Sequence, residues 1–186
     1  MRLSYLKQAA VALCVMCIAA TSPAIVPAAA DEYESGLSAY NRAEYTSAFD
    51  TWQNLAALGH PDAQFGLGIM YSLGQGVPQD HGTAVAWLHL AAMQGNSGAQ
   101  LSVGHSYENG LGVAQDYAAA HRWYVVAAEQ GNAKAQNNLG TMYEQGRSVA
   151  VDLDLAIYWY EEATRNGNRN ARNNLVRLHQ SRTNGN

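Results

Sequence analysis

Between Pro61 and Leu73, Ala63, Leu67 and Tyr71 recur every four residues, and Gly68 lies beside them. That spacing places the three side chains on one face of a helix. A glycine-rich interval follows. Beyond it Ala84, Trp87 and Ala91, at i, i+3 and i+7, mark the packing face of a second helix. The same two patterns return twice, so that residues 61–96, 97–132 and 133–168 align without a gap as three blocks of 36 residues, identical at twelve positions. A fixed period of this length is the signature of stacked helical hairpins.

The shared residues have physical roles. Gly68, Gly104 and Gly140 sit inside the first helices, where glycine costs roughly 0.5–1 kcal/mol relative to alanine; their recurrence predicts close approach of a neighbouring helix. Gly74, Gly110 and Gly146 fall where the first helix should stop in a left-handed conformation. Asp80, Asp116 and Asp152 are placed to cap the second helix, and Gly95-Asn96, with its repeats at 131–132 and 167–168, ends it. The stretch "GLGIMYSLGQGVPQD" (66–80) is therefore helix punctuation. It has neither the lysine nor the spacing of a phosphate-binding loop.

The flanks continue the pattern in altered form. Ala48, Ala56 and Gly59 lie 36 residues before Ala84, Ala92 and Gly95, with Trp52 one position out of register with Trp87. Residues 31–60 are thus a divergent first hairpin, whose first helix is "EYESGLSAY" and whose turn spans Asn41 to Glu44. Residues 169–186 hold a single capping helix and a tail. There Ala171 and Leu175 stay in register, while Val176 replaces the glycine and His179 the tyrosine. Polar, divergent end helices are what a stacked array requires. Stacking also makes truncation of the central Trp123 more damaging than truncation of Trp52 near the end.

The pattern "AQxxxGxxYxxGxxVxxDxxxAxxWxxxAxxxGN", present three times, resembles that of Sel1-like repeats, relatives of tetratricopeptide repeats. The resemblance covers residues 61–168 fully. It implies an all-α fold, an α-solenoid in which antiparallel helical hairpins form a right-handed superhelix. It also implies protein–protein contacts, often in signalling, secretion or host interaction. Cysteine-rich members have been linked to β-lactam-like compounds through paired cysteines in their repeats; here residues 31–186 contain no cysteine.

The N-terminus changes the picture of where the chain works. Arg2 and Lys7 precede a mostly apolar run from Gln8 to Ala20, and Ala28-Ala29-Ala30 precede Asp31-Glu32. This is the layout of a secretory signal peptide cut after Ala30, with a run too short for a membrane span of about 20 residues. The expected product, Asp31 to Asn186, is periplasmic or secreted, with no membrane span once the signal is cleaved. Both cysteines, Cys14 and Cys17, leave with the leader, so neither a disulfide nor a thiolate nucleophile remains. The remaining 9 basic and 15 acidic residues give a charge of −6. They are unevenly spread: nine acids and one base, Arg42, lie between Asp31 and Asp116. Arg165, Arg169, Arg172, Arg177 and Arg182 close the chain with no acid after Glu162. The basic end is read either as a solvated helix or as a dock for an acidic partner.

In tetratricopeptide-like arrays the first helices line the concave side. With Leu67, Gly68 and Tyr71 as the packing register, the groove-facing residues include Phe65 and Ile69, then Leu101, His105 and Glu108. Lys134, Asn137, Thr141 and Glu144 follow, then Asn173 and Arg177. The series passes from apolar to polar, which suits an extended peptide or helix from an unidentified envelope or extracellular protein. Phe65, Ile69 and Leu101 could equally serve to pack neighbouring hairpins.

Other chemistries find little support. The six histidines have no compact ligand spacing, no G-x-S-x-G elbow occurs, and Glu161-Glu162 and Asp152/Asp154 read as a solvated face and a cap. No catalytic residue, metal site or cofactor is assigned. The acidic charge and the lack of aromatics among the late arginines argue against nucleic acid. The remaining alternative is an envelope hydrolase or a cell-wall- or β-lactam-directed activity. Oligomeric state is left open.

Overall fold

A computed structural model describes residues 25–184, and among the described residues there are nine helices and no strand. These are α1 (Ile25–Asn41), α2 (Tyr45–Ala57), α3 (Pro61–Leu73), α4 (His81–Met93), α5 (Ser97–Asn109), α6 (Tyr117–Glu129), α7 (Ala133–Gln145), α8 (Leu153–Arg165) and α9 (Arg169–Asn184). The protein has an all-α helical-repeat fold. Most of the leader expected over residues 1–30 lies outside the described residues, and α1 runs unbroken from Ile25 through Ala30 to Asn41. Among the described residues no helix is long and apolar enough to cross a membrane.

Each repeat is a helical hairpin built by the same local devices. Asp80, Asp116 and Asp152 each accept hydrogen bonds from two backbone amides at the start of the second helix. Gly74, Gly110 and Gly146 turn the chain at φ of 67–69°. The glycines inside the first helices explain themselves: a Cβ at Gly68 would lie 2.6 Å from Leu88, and one at Gly104 or Gly140 would lie 2.6 Å from the Tyr124 or Tyr160 ring. The neighbouring helix whose approach they permit is the second helix of the same hairpin.

The glutamines of the first and third repeats each join three helices. Gln64 is 2% exposed; its Nε2 donates to the Ala56 carbonyl at 3.1 Å, and its Oε1 accepts from Gln94 Nε2 at 2.7 Å. Gln136 repeats this, donating to the Ala128 carbonyl and accepting from Asn166 Nδ2. A buried amide would destabilise the core if unpaired. Here it fastens one hairpin to the preceding one. The closing asparagines add a second tie: Asn132 and Asn168 accept from amides of the next helix, and their Nδ2 groups donate to the carbonyls of Ser97 and Ala133.

The chain divides into two compact units, one ending at Asn96 and the other beginning at Ser97. The first contains hairpins α1/α2 and α3/α4, with a core of Ala39, Trp52, Leu55, Leu67 and Met70, lined by Tyr33, Leu37, Tyr40, Phe49 and Trp87. The second contains α5/α6, α7/α8 and the single helix α9. Its cores are Tyr124, Leu139 and Met142, with Trp159 packed against them, and Tyr160, Ala171 and Leu178.

The position of the tryptophans corrects the sequence reading. Trp87, Trp123 and Trp159 are half-buried, and the fully enclosed position is the next residue along, Leu88, Tyr124 and Tyr160. Trp52 stands 36 residues before Leu88 and is 2% exposed. Its apparent slip in register is therefore correct register for the inner position. The first hairpin replaces leucine or tyrosine there with the largest side chain, and two glycines, Gly36 and Gly66, make room for its ring.

Candidate functional site

In the second unit the inner tyrosines pass beneath a glycine and emerge on the first-helix face, where each meets a carboxylate. Tyr124 Oη donates to Glu108 Oε2 at 2.6 Å, and Tyr160 Oη donates to Glu144 Oε2 at 2.8 Å. Each glutamate also takes an arginine: Arg147 Nη1 reaches Glu108 Oε1 at 3.0 Å, and Arg177 grips both oxygens of Glu144 at 2.7 and 2.8 Å. Thr141 Oγ1 lies 3.1 Å from Tyr160 Oη. Two tyrosine–glutamate–arginine triads are thus set 36 residues apart at Glu108 and Glu144, anchored from inside and open at the guanidinium end.

The electrostatics follow from this placement. Burial, more than the adjacent carboxylate, pushes the Tyr124 hydroxyl far above the usual phenol value. Burial likewise pushes Tyr160 up to about 12. Both remain protonated donors at any physiological pH. The hydrogen bonds from Arg177, opposed by partial burial and helped by Tyr160, hold the Glu144 carboxyl below its ordinary value. Glu144 therefore stabilises the fold above the carboxylate pKa of the unfolded chain, about 4.3, and the contribution disappears as pH falls through the lower folded value. Because Arg177 is largely exposed, the pair is worth roughly 0.5–1 kcal/mol. Glu144→Gln should lower stability by that amount at pH 7 and by little near pH 3, as read from urea midpoints at both values.

The residues expected to line a groove have different fates. In the first unit Phe65 and Ile69 are half-buried, and Phe49 meets Tyr71 edge-on with ring centroids 5.8 Å apart. In the second unit Leu101 packs against the Tyr124 core, which is the packing role held open for it. Glu108, Glu144 and Arg177 belong to the triads, and Thr141 adjoins the second through Tyr160. Asn137 Oδ1 accepts from Asn174 Nδ2 at 3.1 Å, tying α7 to α9. His105, Lys134 and Asn173 are exposed. Tyr124, Tyr160 and Arg147 were missed as members of the site. The tyrosines occupy a position that is leucine in the first repeat, so repeat identity hid them; the paired Glu108 and Glu144 against Ser72 carried the same signal.

The histidines disperse. The His60 side chain accepts from the Ala63 amide and stacks on Tyr33, and His121 Nε2 lies 3.2 Å from Tyr143 Oη. Burial, assisted by Arg122, lowers the pKa of His121. Among the described residues no three His, Cys, Asp or Glu side chains converge as metal ligands.

Residues 61–96, 97–132 and 133–168 each match the Sel1 repeat. The chain belongs to the Sel1 repeat family. A Sel1 repeat protein from Oxalobacter formigenes is 32% identical, with a TM-score of 0.74, over 78% of this chain and 58% of that one. A protective antigen present in uropathogenic Escherichia coli strains, displaying an SLR fold, is 37% identical, with a TM-score of 0.76, over 81% of this chain and 33% of that one. The chain thus spans less than two thirds of either relative. No curated protein matches. Sel1 repeat proteins generally mediate protein–protein interaction and typically act as scaffolds without enzymatic activity; their partners are proteins.

Proposed function

We propose that this Sel1 repeat protein is exported and acts in the cell envelope as a scaffold or regulator, binding a partner protein on the first-helix faces of its hairpins. The observation that carries this reading is the pair of triads. Glu108 and Glu144 are pinned from within by tyrosines, so the polar face of the second unit is rigid and pre-formed, which lowers the ordering cost of binding. His105, Lys134 and Asn173 stand exposed beside it. In the first unit Phe65 and Ile69 offer a separate apolar contact. The apolar run of residues 8–20 ahead of Ala28-Ala29-Ala30 supports export.

Two measurements test this. A photo-crosslinking residue at position 105 or 134 should yield a discrete adduct in the native host, whereas one at the exposed Glu129 of α6 should not. Equal labelling at all three positions, or none at 105 and 134, would remove the binding face. The intact mass of the protein from the envelope fraction should correspond to a chain starting at Asp31. A full-length cytoplasmic product would refute export.

A further inference from the structure

Helix α9 is half a repeat, and the face it leaves open is the one that receives a second helix in every complete repeat. In α7 that face is marked by Gly140, against the Tyr160 ring, and by Gln136, bonded to Asn166. The residues 36 positions on are Val176 and Arg172, and Ala133 corresponds to Arg169. With no second helix after α9 in the described chain, Val176 is 50% exposed where Gly140 is enclosed, and Arg169 and Arg172 are exposed. The adjacent face of α9 is spent on the core, through Ala171, Leu175 and Leu178.

The chemistry of the open face is specific. Arg169, Arg172, Val176 and His179 fall at i, i+3, i+7 and i+10, one stripe along the helix. Neither the Arg169 nor the Arg172 guanidinium has a partner among the described residues. The nearest acids in sequence, Glu161 and Glu162, are engaged by Arg165, and none follows them. A merely solvated end helix needs polar residues, but not two unpaired cations in line with an exposed valine on the helix-receiving stripe.

Resting on the reading that this chain binds proteins, we propose that the open face of α9 docks an acidic amphipathic helix of the partner, in the position that a second helix takes in a complete repeat. The register follows from α7 and α8. Gly140 meets Tyr160 and Gln136 meets Asn166, so the docked helix runs antiparallel to α9, and its residue opposite Arg172 comes six positions after the one opposite Val176. Valine in place of glycine reverses the fit: the partner presents a small residue there, with an acid six positions on, opposite Arg172. A second acid lies about one turn later, opposite Arg169.

The test uses the full mature chain and two synthetic helix-forming peptides. Both carry alanine opposite Val176; one has glutamates and the other lysines opposite Arg172 and Arg169. In fluorescence anisotropy titrations the glutamate peptide should bind at least about tenfold more tightly than the lysine peptide, and its affinity should fall as salt rises. The R169E/R172E double variant, at exposed positions, should invert the preference with an unchanged melting curve. Val176→Asp should weaken the glutamate peptide by a similar factor. Equal or absent binding of the two peptides overturns the proposal, as does an unchanged preference in the double variant. So do two other results: anionic vesicles captured through the same arginines without peptide binding, or a second copy of the chain found on α9 by sedimentation. Crosslinks at position 105 that survive such a failure would leave the first-helix binding face standing.

Discussion

Trp52→Ala should unfold the first hairpin and remove about 3–5 kcal/mol of stability, a larger loss than Trp123→Ala. The side chain is 2% exposed and its indole Nε1 donates to the Tyr33 carbonyl at 3.3 Å. Its ring stacks with Tyr33 at 5.8 Å and tilts against Tyr40 at 5.4 Å. Gly36 and Gly66 both stand against the same ring. Two glycines have no side chains with which to refill the space, so the cavity would stay open, and cavity volume adds to the lost transfer energy. Trp123 is half-buried, so truncation there exposes less new apolar surface. Urea midpoints of the two variants decide the matter. A greater loss at Trp123 would restore the ordering expected from position in the array alone, and equal losses would contradict both orderings.

That reversal shows what the sequence could convey. Periodicity and identity across three blocks delivered the helix order, the aspartate caps, the left-handed glycine stops and the close approach at Gly68, Gly104 and Gly140, because each is a local backbone requirement repeated at the same position. Identity failed where one spatial role is filled by different residues. Trp52, Leu88, Tyr124 and Tyr160 share the inner position, yet a search for invariant residues selects the tryptophans one step outward. The candidate face was legible in part for the same reason. Glu108, Glu144 and Arg177 could be placed by register, but their joining into triads depends on tyrosine hydroxyls that emerge past a glycine, and on Arg147 from the loop after α7. Arg147 lies 39 residues from Glu108, and Arg177 lies 33 from Glu144, so neither arginine obeys the period.

Gly104→Ala should destabilise by about 1–3 kcal/mol, whereas Gly82→Ala should stabilise by up to about 1 kcal/mol, although both glycines lie within helices. Alanine is the better helix former in each case, so any difference in sign comes from what the added methyl meets. At Gly82 it would find only Asp80 Oδ1 at 3.3 Å, the exposed capping oxygen, which needs to shift by only a few tenths of an ångström and can do so while keeping its bonds from the Gly82 and Thr83 amides. At Gly104 it would enter the Tyr124 ring at 2.6 Å. That ring cannot retreat without breaking the Tyr124–Glu108 hydrogen bond and thereby freeing the carboxylate that Arg147 holds. The collision therefore reaches the Glu108 triad, on the face proposed for binding, as well as the core. Paired thermal or urea melts read the sign directly. If Gly104→Ala proved neutral or stabilising, the tight seating of the second helix on the first would be disproved, and with it the rigidity on which the proposed Glu108 and Glu144 binding face rests.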